Sequence, residues 1–209
     1  MAKILIAIPT YDKKVDVELL STIVALPGQY PQHTIGLTFM AGSIIQSARN
    51  NFCKVFLQNP ELDWLYMWDA DVVIKDLTFI DKLLETAEKL DAQIVGGLYR
   101  IKAPGGRLSA SYYKDSSKTP FNSDNYKVGD IIEPQLVDCL ATGSMLIKRE
   151  VLETIPEPWF EFRDFPDAKV WPEDYVFCDK AHAAGFQVAA DPRFDTYHYG
   201  YAAWPFTLQ

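Results

Sequence analysis

Three groups of side chains in this chain have the types and spacing that chemistry requires. The first is Asp69 and Asp71 in MWDADVV. Side chains two apart in an extended segment point the same way, so the spacing predicts both carboxylates facing one site. The apolar run 65–68 before them reads as a buried strand, and ligands of open α/β sheets bind at the carboxyl ends of such strands. Two hard oxygen donors there suit Mg2+ or Mn2+, which bridges one or two carboxylates to a substrate diphosphate. The bare spacing carries little, because 18 aspartates in 209 residues give roughly one Asp-x-Asp by chance. An acidic turn closing a strand explains it too; the strand context favours a metal site.

The second group is Glu173 and Asp174 in WPEDYVFC. Acids in a first helical turn interact favourably with the helix dipole, and Pro172 suits the start, so a structural role accounts for the pair. A general base accounts for it equally, provided one carboxylate reaches the proton it removes. The third is His198 in DTYHYG, a loop-like stretch that can deliver a further metal ligand from far along the chain, although a lone histidine is more often structural. Arg49 lies on a helix face that is otherwise apolar or small, where it is either solvated or reaches an anionic substrate through its forked donors. Gly143 in ATGS permits either close backbone approach to a ligand or a plain bulge. His33 and His182 have no acidic or cysteine companions at ligand spacing and read as structural. Trp159, Phe160, Phe162, Phe165 and Trp171 read as core or lid packing, with one or two faces available to a sugar ring.

The elements that must position these groups follow from periodicity. KILIAIPTYD predicts a first strand buried on both faces. Residues 43–59 carry apolar side chains at helical spacing, with Ser43 as the cap and Pro60 just beyond the end. DWLYMWDADVVI predicts a second strand, residues 79–90 an amphipathic helix and AQIVGGLYR a third strand. That alternation implies an α/β fold with a mainly parallel sheet flanked by helices. Between 102 and 135, Gly, Pro, Ser, Asp and Asn cluster around short β-like pieces, which predicts a small hairpin-bearing insertion on the sheet edge. QLVDCLATGSMLIK returns to strand character broken at Gly143, EDYVFCDKAHAAGF predicts a helix ending at Gly185, and FQVAAD a final strand. No linker interrupts the series, so residues 1–209 are expected to form one domain.

Composition excludes several classes. Hydrophobic residues at 48% and charged residues at 23% are those of a globular chain with ample core material. A net charge of -8 provides no global field for a phosphate backbone, which disfavours nucleic acid as a partner. Three scattered cysteines form no disulfide framework. The short apolar run 4–8 is too brief for a secretory signal, and no stretch approaches the ~20 apolar residues of a membrane span. A cytoplasmic protein without a membrane span is expected. No GxGxxG, P-loop or Ser-His-Asp signature is present, which argues against dinucleotide, NTPase and hydrolase chemistry.

Taken in order, IAIPTYD, SARNN, WDADVV, GGLYR, ATGSMLIKREVLE, WPEDYVFC and YHYG resemble GT-A fold glycosyltransferases of the family 2 type, over nearly the whole chain. The resemblance implies a Rossmann-like GT-A domain with a DxD motif. It implies that Pro9, Thr10 and Tyr11 line the nucleotide pocket and that Arg49 holds the nucleotide or its diphosphate. Asp69 would lie near the ribose and the metal, Asp71 would be the principal metal ligand, and His198 would complete the metal site. Of the catalytic pair Glu173 and Asp174, Asp174 would deprotonate the acceptor hydroxyl in an inverting displacement; Gly143 would pack near the donor sugar. The implied reaction moves one sugar from a UDP- or GDP-linked donor with Mn2+ or Mg2+. The QxxRW-like sequence of larger processive members is missing, which argues against a polysaccharide synthase. Two alternatives stay open. One is a sugar-phosphate nucleotidyltransferase, against which the lack of a Gly-rich basic loop after Ile8 counts. The other is a non-catalytic nucleotide- or carbohydrate-binding domain of the same fold.

Overall fold

A run of Ile, Leu and Ala without a polar face is stable only between two apolar layers, and strand β1 (Lys3–Thr10) is buried along nearly its whole length. The computed structural model describes residues 1–11, 13–42, 44–114, 123–164, 170–200 and 204–206. After β1 come α1 (Val17–Gln29), β2 (Thr34–Ala41), α2 (Ile45–Leu57), β3 (Trp64–Trp68), β4 (Val72–Ile74), α3 (Phe79–Leu90) and β5 (Ile94–Gly97). The middle of the chain forms β6 (Arg107–Tyr113), β7 (Ser123–Lys127), β8 (Gln135–Leu136), β9 (Cys139–Leu140), β10 (Ser144–Lys148) and α4 (Arg149–Thr154). It ends in β11 (Arg163–Asp164), β12 (Val170–Trp171), α5 (Glu173–Ala183), β13 (Val188–Asp191), β14 (Thr196–His198) and β15 (Trp204–Phe206).

Seven strands form the main sheet in the order β2-β1-β3-β10-β5-β13-β8. β1, β2, β3, β5 and β13 run parallel, and β10 and β8 run against them. This is the mainly parallel, helix-flanked sheet that the alternation of strands and helices predicts. β1 shows how the two faces divide. Leu5 and Ala7 join the apolar layer containing Phe52 and Phe56 of α2, Leu152 of α4 and Phe177 of α5. Ile4, Ile6 and Ile8 join the layer containing Leu19 and Ile23 of α1 and Phe79, Ile80 and Leu83 of α3. Among the described residues no helix is long and apolar enough to cross a membrane.

The structure departs from the sequence reading at several elements. Neither α1 nor β2 is anticipated. α1 contains Pro27 and leaves Val17, Leu20 and Val24 exposed, so its apolar spacing is blurred. β2 is a sheet edge of partly exposed residues and lacks the apolar run of a central strand. The helix expected over 43–59 starts at Ile45, with Ile44 in the cap position making no side-chain cap bond; Ser43 and Phe165 lie outside the described residues. The single strand expected across Asp69 and Asp71 is two strands separated by a turn. Val72 N–H donates to the Asp69 carbonyl at 3.0 Å, and the buried Trp68 indole N–H donates to the Val72 carbonyl at 2.7 Å. The segment 102–135 does contain a hairpin, but β7, β6 and β9 form a small sheet of their own and do not extend the main edge. His198 stands in a strand and not a loop: β14 pairs with β4 and places His198 opposite Val72.

The reversed strand β10 is seated between β3 and β5, and Gly96 makes that seat possible. A Cβ at position 96 would lie 2.6 Å from the Ser144 backbone oxygen and 3.0 Å from Leu140 Cδ1. Backbone cannot yield there as a flexible side chain does. Gly96→Ala is expected to lower the unfolding free energy by about 1–3 kcal/mol, read from urea denaturation. An unchanged midpoint would show that β10 does not press on β5 as described.

Candidate active site

The chain leaves the sheet at the carboxyl ends of β1 and β3, and both exits line one cleft of about 370 Å³. Pro9, Thr10, Tyr11 and Lys14 contribute from the first exit, and Asp69, Ala70 and Asp71 from the second. Thr10 is buried, whereas Tyr11 is 81% exposed at the rim. The same-side geometry expected for Asp69 and Asp71 is not what unites them, because the segment turns instead of extending. Both carboxylates line the cleft, but each meets different partners.

Asp69 meets Arg49. The Arg49 side chain comes from the inner face of α2 and is only 4% exposed, which removes the solvated alternative. Its Nη2 lies 3.4 Å from both Asp69 carboxylate oxygens, and its Nε lies 3.1 Å from Glu173 Oε1 without aiming its N–H at that oxygen. Burial disfavours the guanidinium charge, but Asp69, Glu173 and Asp174 outweigh it and hold the group above its ordinary value. Arg49 Nη1 and Asp69 Oδ1 are buried and make no hydrogen bond among the described residues. Buried polar atoms in this condition call for a partner, and a bound anion fits the first of them.

Glu173 and Asp174 open α5 directly after Pro172. The two accounts of this pair coexist, because the acids sit in a first helical turn and one of them is also strongly perturbed. Burial pushes the Asp174 carboxyl up, the charge of Glu173 adds to it, and Arg49 and the Tyr175 N–H oppose only in part, leaving it at about 7. The Tyr175 N–H donates to Asp174 Oδ1 at 2.9 Å. Glu173 therefore faces Arg49, while Asp174 is the carboxyl that desolvation and neighbouring charge push up.

Asp71 meets His198 and Lys102. His198 Nε2 lies 3.6 Å from Asp71 Oδ2, and the Lys102 ammonium contacts the same oxygen. Burial pushes Asp71 up, but the His198 ring and the Lys102 ammonium prevail and hold it at about 2. The proximity of His198 follows from register: β14 lies against β4, and Tyr199 N–H donates to the Asp71 carbonyl at 2.7 Å. His198 Nδ1 is 2.8 Å from the Arg100 carbonyl. A carbonyl only accepts, so Nδ1 carries a proton, and Nε2 is the ring nitrogen turned toward the Asp71 carboxylate. A ring whose far nitrogen is fixed by a carbonyl is held in the orientation that a histidine ligand requires. Among the described residues no three His, Cys, Asp or Glu side chains gather closely enough to hold a metal alone. Asp71 and His198 fit two positions of an Mg2+ or Mn2+ shell that substrate oxygens and water complete.

Gly143 is close to this machinery through its backbone. Asp69 N–H donates to the Gly143 carbonyl at 3.1 Å, and Gly143 N–H donates to the Tyr99 hydroxyl at 3.1 Å. A Cβ at 143 would stand 2.5 Å from that hydroxyl, so close approach is what requires the glycine. Tyr99 and Lys102 are the residues that sequence reasoning passes over. Tyr99 is buried, and burial, with the charges of Asp69 and Asp174, keeps its phenol neutral. It lies inside GGLYR, which was a signal; nothing in the sequence ties Lys102 to Asp71. Of the aromatics read as core or lid, Trp159, Phe160 and Trp171 are buried and Phe162 is exposed. His33 and His182 are structural as expected, bonded to Asp81 and to the Asp138 carbonyl.

No protein-family model and no curated protein sequence matches the chain. Solved structures do share its fold. The crystal structure of A197 from STIV is similar with a TM-score of 0.68 at 21% identity, covering 96% of this chain and 86% of that one. The crystal structure of S. aureus TarS 1-349 in complex with UDP-GlcNAc is similar with a TM-score of 0.52 at 12% identity, covering 99% of this chain and 58% of that one. At such identities the likeness is one of fold, the mainly parallel, helix-flanked sheet of GT-A and Rossmann-like proteins.

The perturbation of Asp174 has a consequence for stability. An acid raised in the folded state adds stability that is complete below about pH 4, the unfolded value. That contribution is lost as pH rises through about 7. Urea unfolding is expected to show wild type losing stability between about pH 4 and about pH 7 relative to Asp174→Asn. Parallel curves for the two proteins would mean that the carboxyl is not perturbed.

Proposed function

We propose that this protein is a GT-A fold glycosyltransferase of the family 2 type. It would move a single sugar from a nucleoside-diphosphate sugar to an acceptor hydroxyl, with inversion at the anomeric carbon. The observation that carries the reading is the meeting of Arg49 with Asp69 and Glu173 beside a nucleotide-sized cleft that Asp69 and Asp71 line, with the half-buried Asp174 carboxyl next to Glu173 raised by desolvation and by that neighbour's charge. An acceptor hydroxyl must lose a proton as it attacks, and a carboxyl with a value near the working pH is suited to take it. Nucleotidyl transfer to a sugar phosphate has an anionic nucleophile and needs no such base. That chemistry favours glycosyl transfer over the nucleotidyltransferase alternative.

In this reading Pro9, Thr10 and Tyr11 form the wall against the nucleoside. Arg49 offers its unpaired Nη1 to the anionic part of the donor, and Glu173 keeps the guanidinium oriented. Asp69 faces the ribose side of the cleft, and Gly143, packed against Tyr99, stands near the donor sugar. Asp71 and His198 would hold Mn2+ or Mg2+. When bound, the ion neutralises the charge that develops on the diphosphate as it leaves. The TarS structure was solved with UDP-GlcNAc, which supports a UDP-linked donor here, with GDP as the competing base. The three cysteines are buried and free, which supports a reducing, cytoplasmic setting.

Calorimetric titration of UDP, GDP, CDP and TDP, each with and without Mn2+, tests the donor and metal assignments together. One nucleotide is expected to bind tightly in a metal-dependent manner, and Asp71→Ala to abolish that dependence. Binding indifferent to both metal and Asp71 would remove the metal from the proposal. With the matching sugar donor, Asp174→Asn is expected to lower turnover by ~10²–10⁴-fold while nucleotide affinity persists. Pyrophosphate release from an NTP and a sugar phosphate would establish the nucleotidyltransferase instead. Retained anomeric configuration of the product, read by NMR, would contradict inversion.

A further inference from the structure

The Asp71 carboxylate faces the His198 ring across 3.6 Å, and the protein already brings a positive charge there. Arg100 and Lys102 lie two residues apart on the segment that leaves β5. The Arg100 carbonyl fixes the His198 ring at 2.8 Å, and the Lys102 ammonium sits on Asp71 Oδ2. Lys102 is about one-third exposed, and its chain then turns through Gly105 and Gly106, both at positive φ. One short segment therefore orients the imidazole and neutralises the carboxylate. A lysine ammonium is a compact charge on a flexible stem, able to leave one anion for another within its reach.

We propose that Lys102 is the resident counter-ion of Asp71, competing with the divalent ion for that carboxylate and passing to the donor diphosphate when the ion binds. The proposal rests on the reading of Asp71 and His198 as metal ligands. Before the ion can take Asp71 Oδ2, the ammonium must give it up, so Lys102 weakens metal binding in the absence of nucleotide. The displaced ammonium finds a stronger anion in the diphosphate at the same cleft. Metal and nucleotide are thereby coupled, and each must strengthen the other by the same factor.

Mn2+ titration followed by the electron paramagnetic resonance of the free ion measures this directly. The proteins are wild type, Lys102→Ala, Lys102→Met, which keeps most of the stem, and Asp71→Ala. With Mn2+ alone, both Lys102 variants are expected to bind about tenfold more tightly than wild type. Added UDP or GDP is expected to strengthen Mn2+ binding less in these variants than in wild type. Equal or weaker Mn2+ binding in both Lys102 variants, with binding still abolished by Asp71→Ala, would overturn the competition and leave the metal site standing. Failure of every protein to bind Mn2+ with either nucleotide, or equal binding by Asp71→Ala, would overturn the metal reading and this proposal with it.

Discussion

A guanidinium withdrawn from water must be surrounded by negative charge, and Arg49 draws that charge from two distant parts of the chain. Asp69 comes from the turn after β3, and Glu173 comes from the first turn of α5. Three elements on one face of the sheet thus converge on a single side chain that is 4% exposed. The attraction is strong because the site is dry, and for the same reason neither partner can be removed without stranding a charge. Most of the site's geometry follows from this pairing. It ties the end of α5 that carries Asp174 to the end of β3, and it engages Asp69 alone, so that the two carboxylates of the motif meet different partners.

The proton on Asp174 is a consequence of the same arrangement. One cation already faces two carboxylates, and a third would leave the pocket with excess negative charge and too little water to screen it. Asp174 therefore keeps its proton to about pH 7, whereas Asp71, with an ammonium and an imidazole beside it, is ionised down to about 2. Two aspartates of one chain are thus driven in opposite directions by their surroundings, one toward its protonated form and one toward its charged form.

The parts of the fold legible in the sequence are those buried on both sides or strongly amphipathic. β1 and β3 show unbroken apolar runs because no water-facing side dilutes them, and α3 shows a clean 3.6-residue period because its buried and exposed faces are sharply divided. β2 and α1 are illegible for the opposite reason: an edge strand and a helix with exposed valines carry no clean period. Asp69 and Asp71 were legible as a motif at a strand end, yet the turn between them was not. It is set by Trp68, whose indole closes on the Val72 carbonyl in a way no local pattern announces. His198 was legible as a residue type, and its place beside Asp71 depends on the β4–β14 register, a long-range pairing. Lys102 had no signal at all, because its partner lies 31 residues away and its own neighbours read as loop.

A net charge of -8 looks unfavourable for an anionic donor, and the site shows why total charge is the wrong quantity. Lys14 lines the cleft, Lys102 stands on Asp71, and Arg49 lies beneath Asp69, so the positive charges are concentrated where β1 and β3 end. At physiological salt the Debye length is about 8 Å, so an approaching diphosphate responds to these groups and little to acids across the molecule. Lys102 and Arg49 are each matched to a carboxylate in the protein alone. An anion entering between these groups would meet cations that must be re-shared, and under the proposed function that re-sharing, more than bulk attraction, is what would couple the nucleotide to the ion.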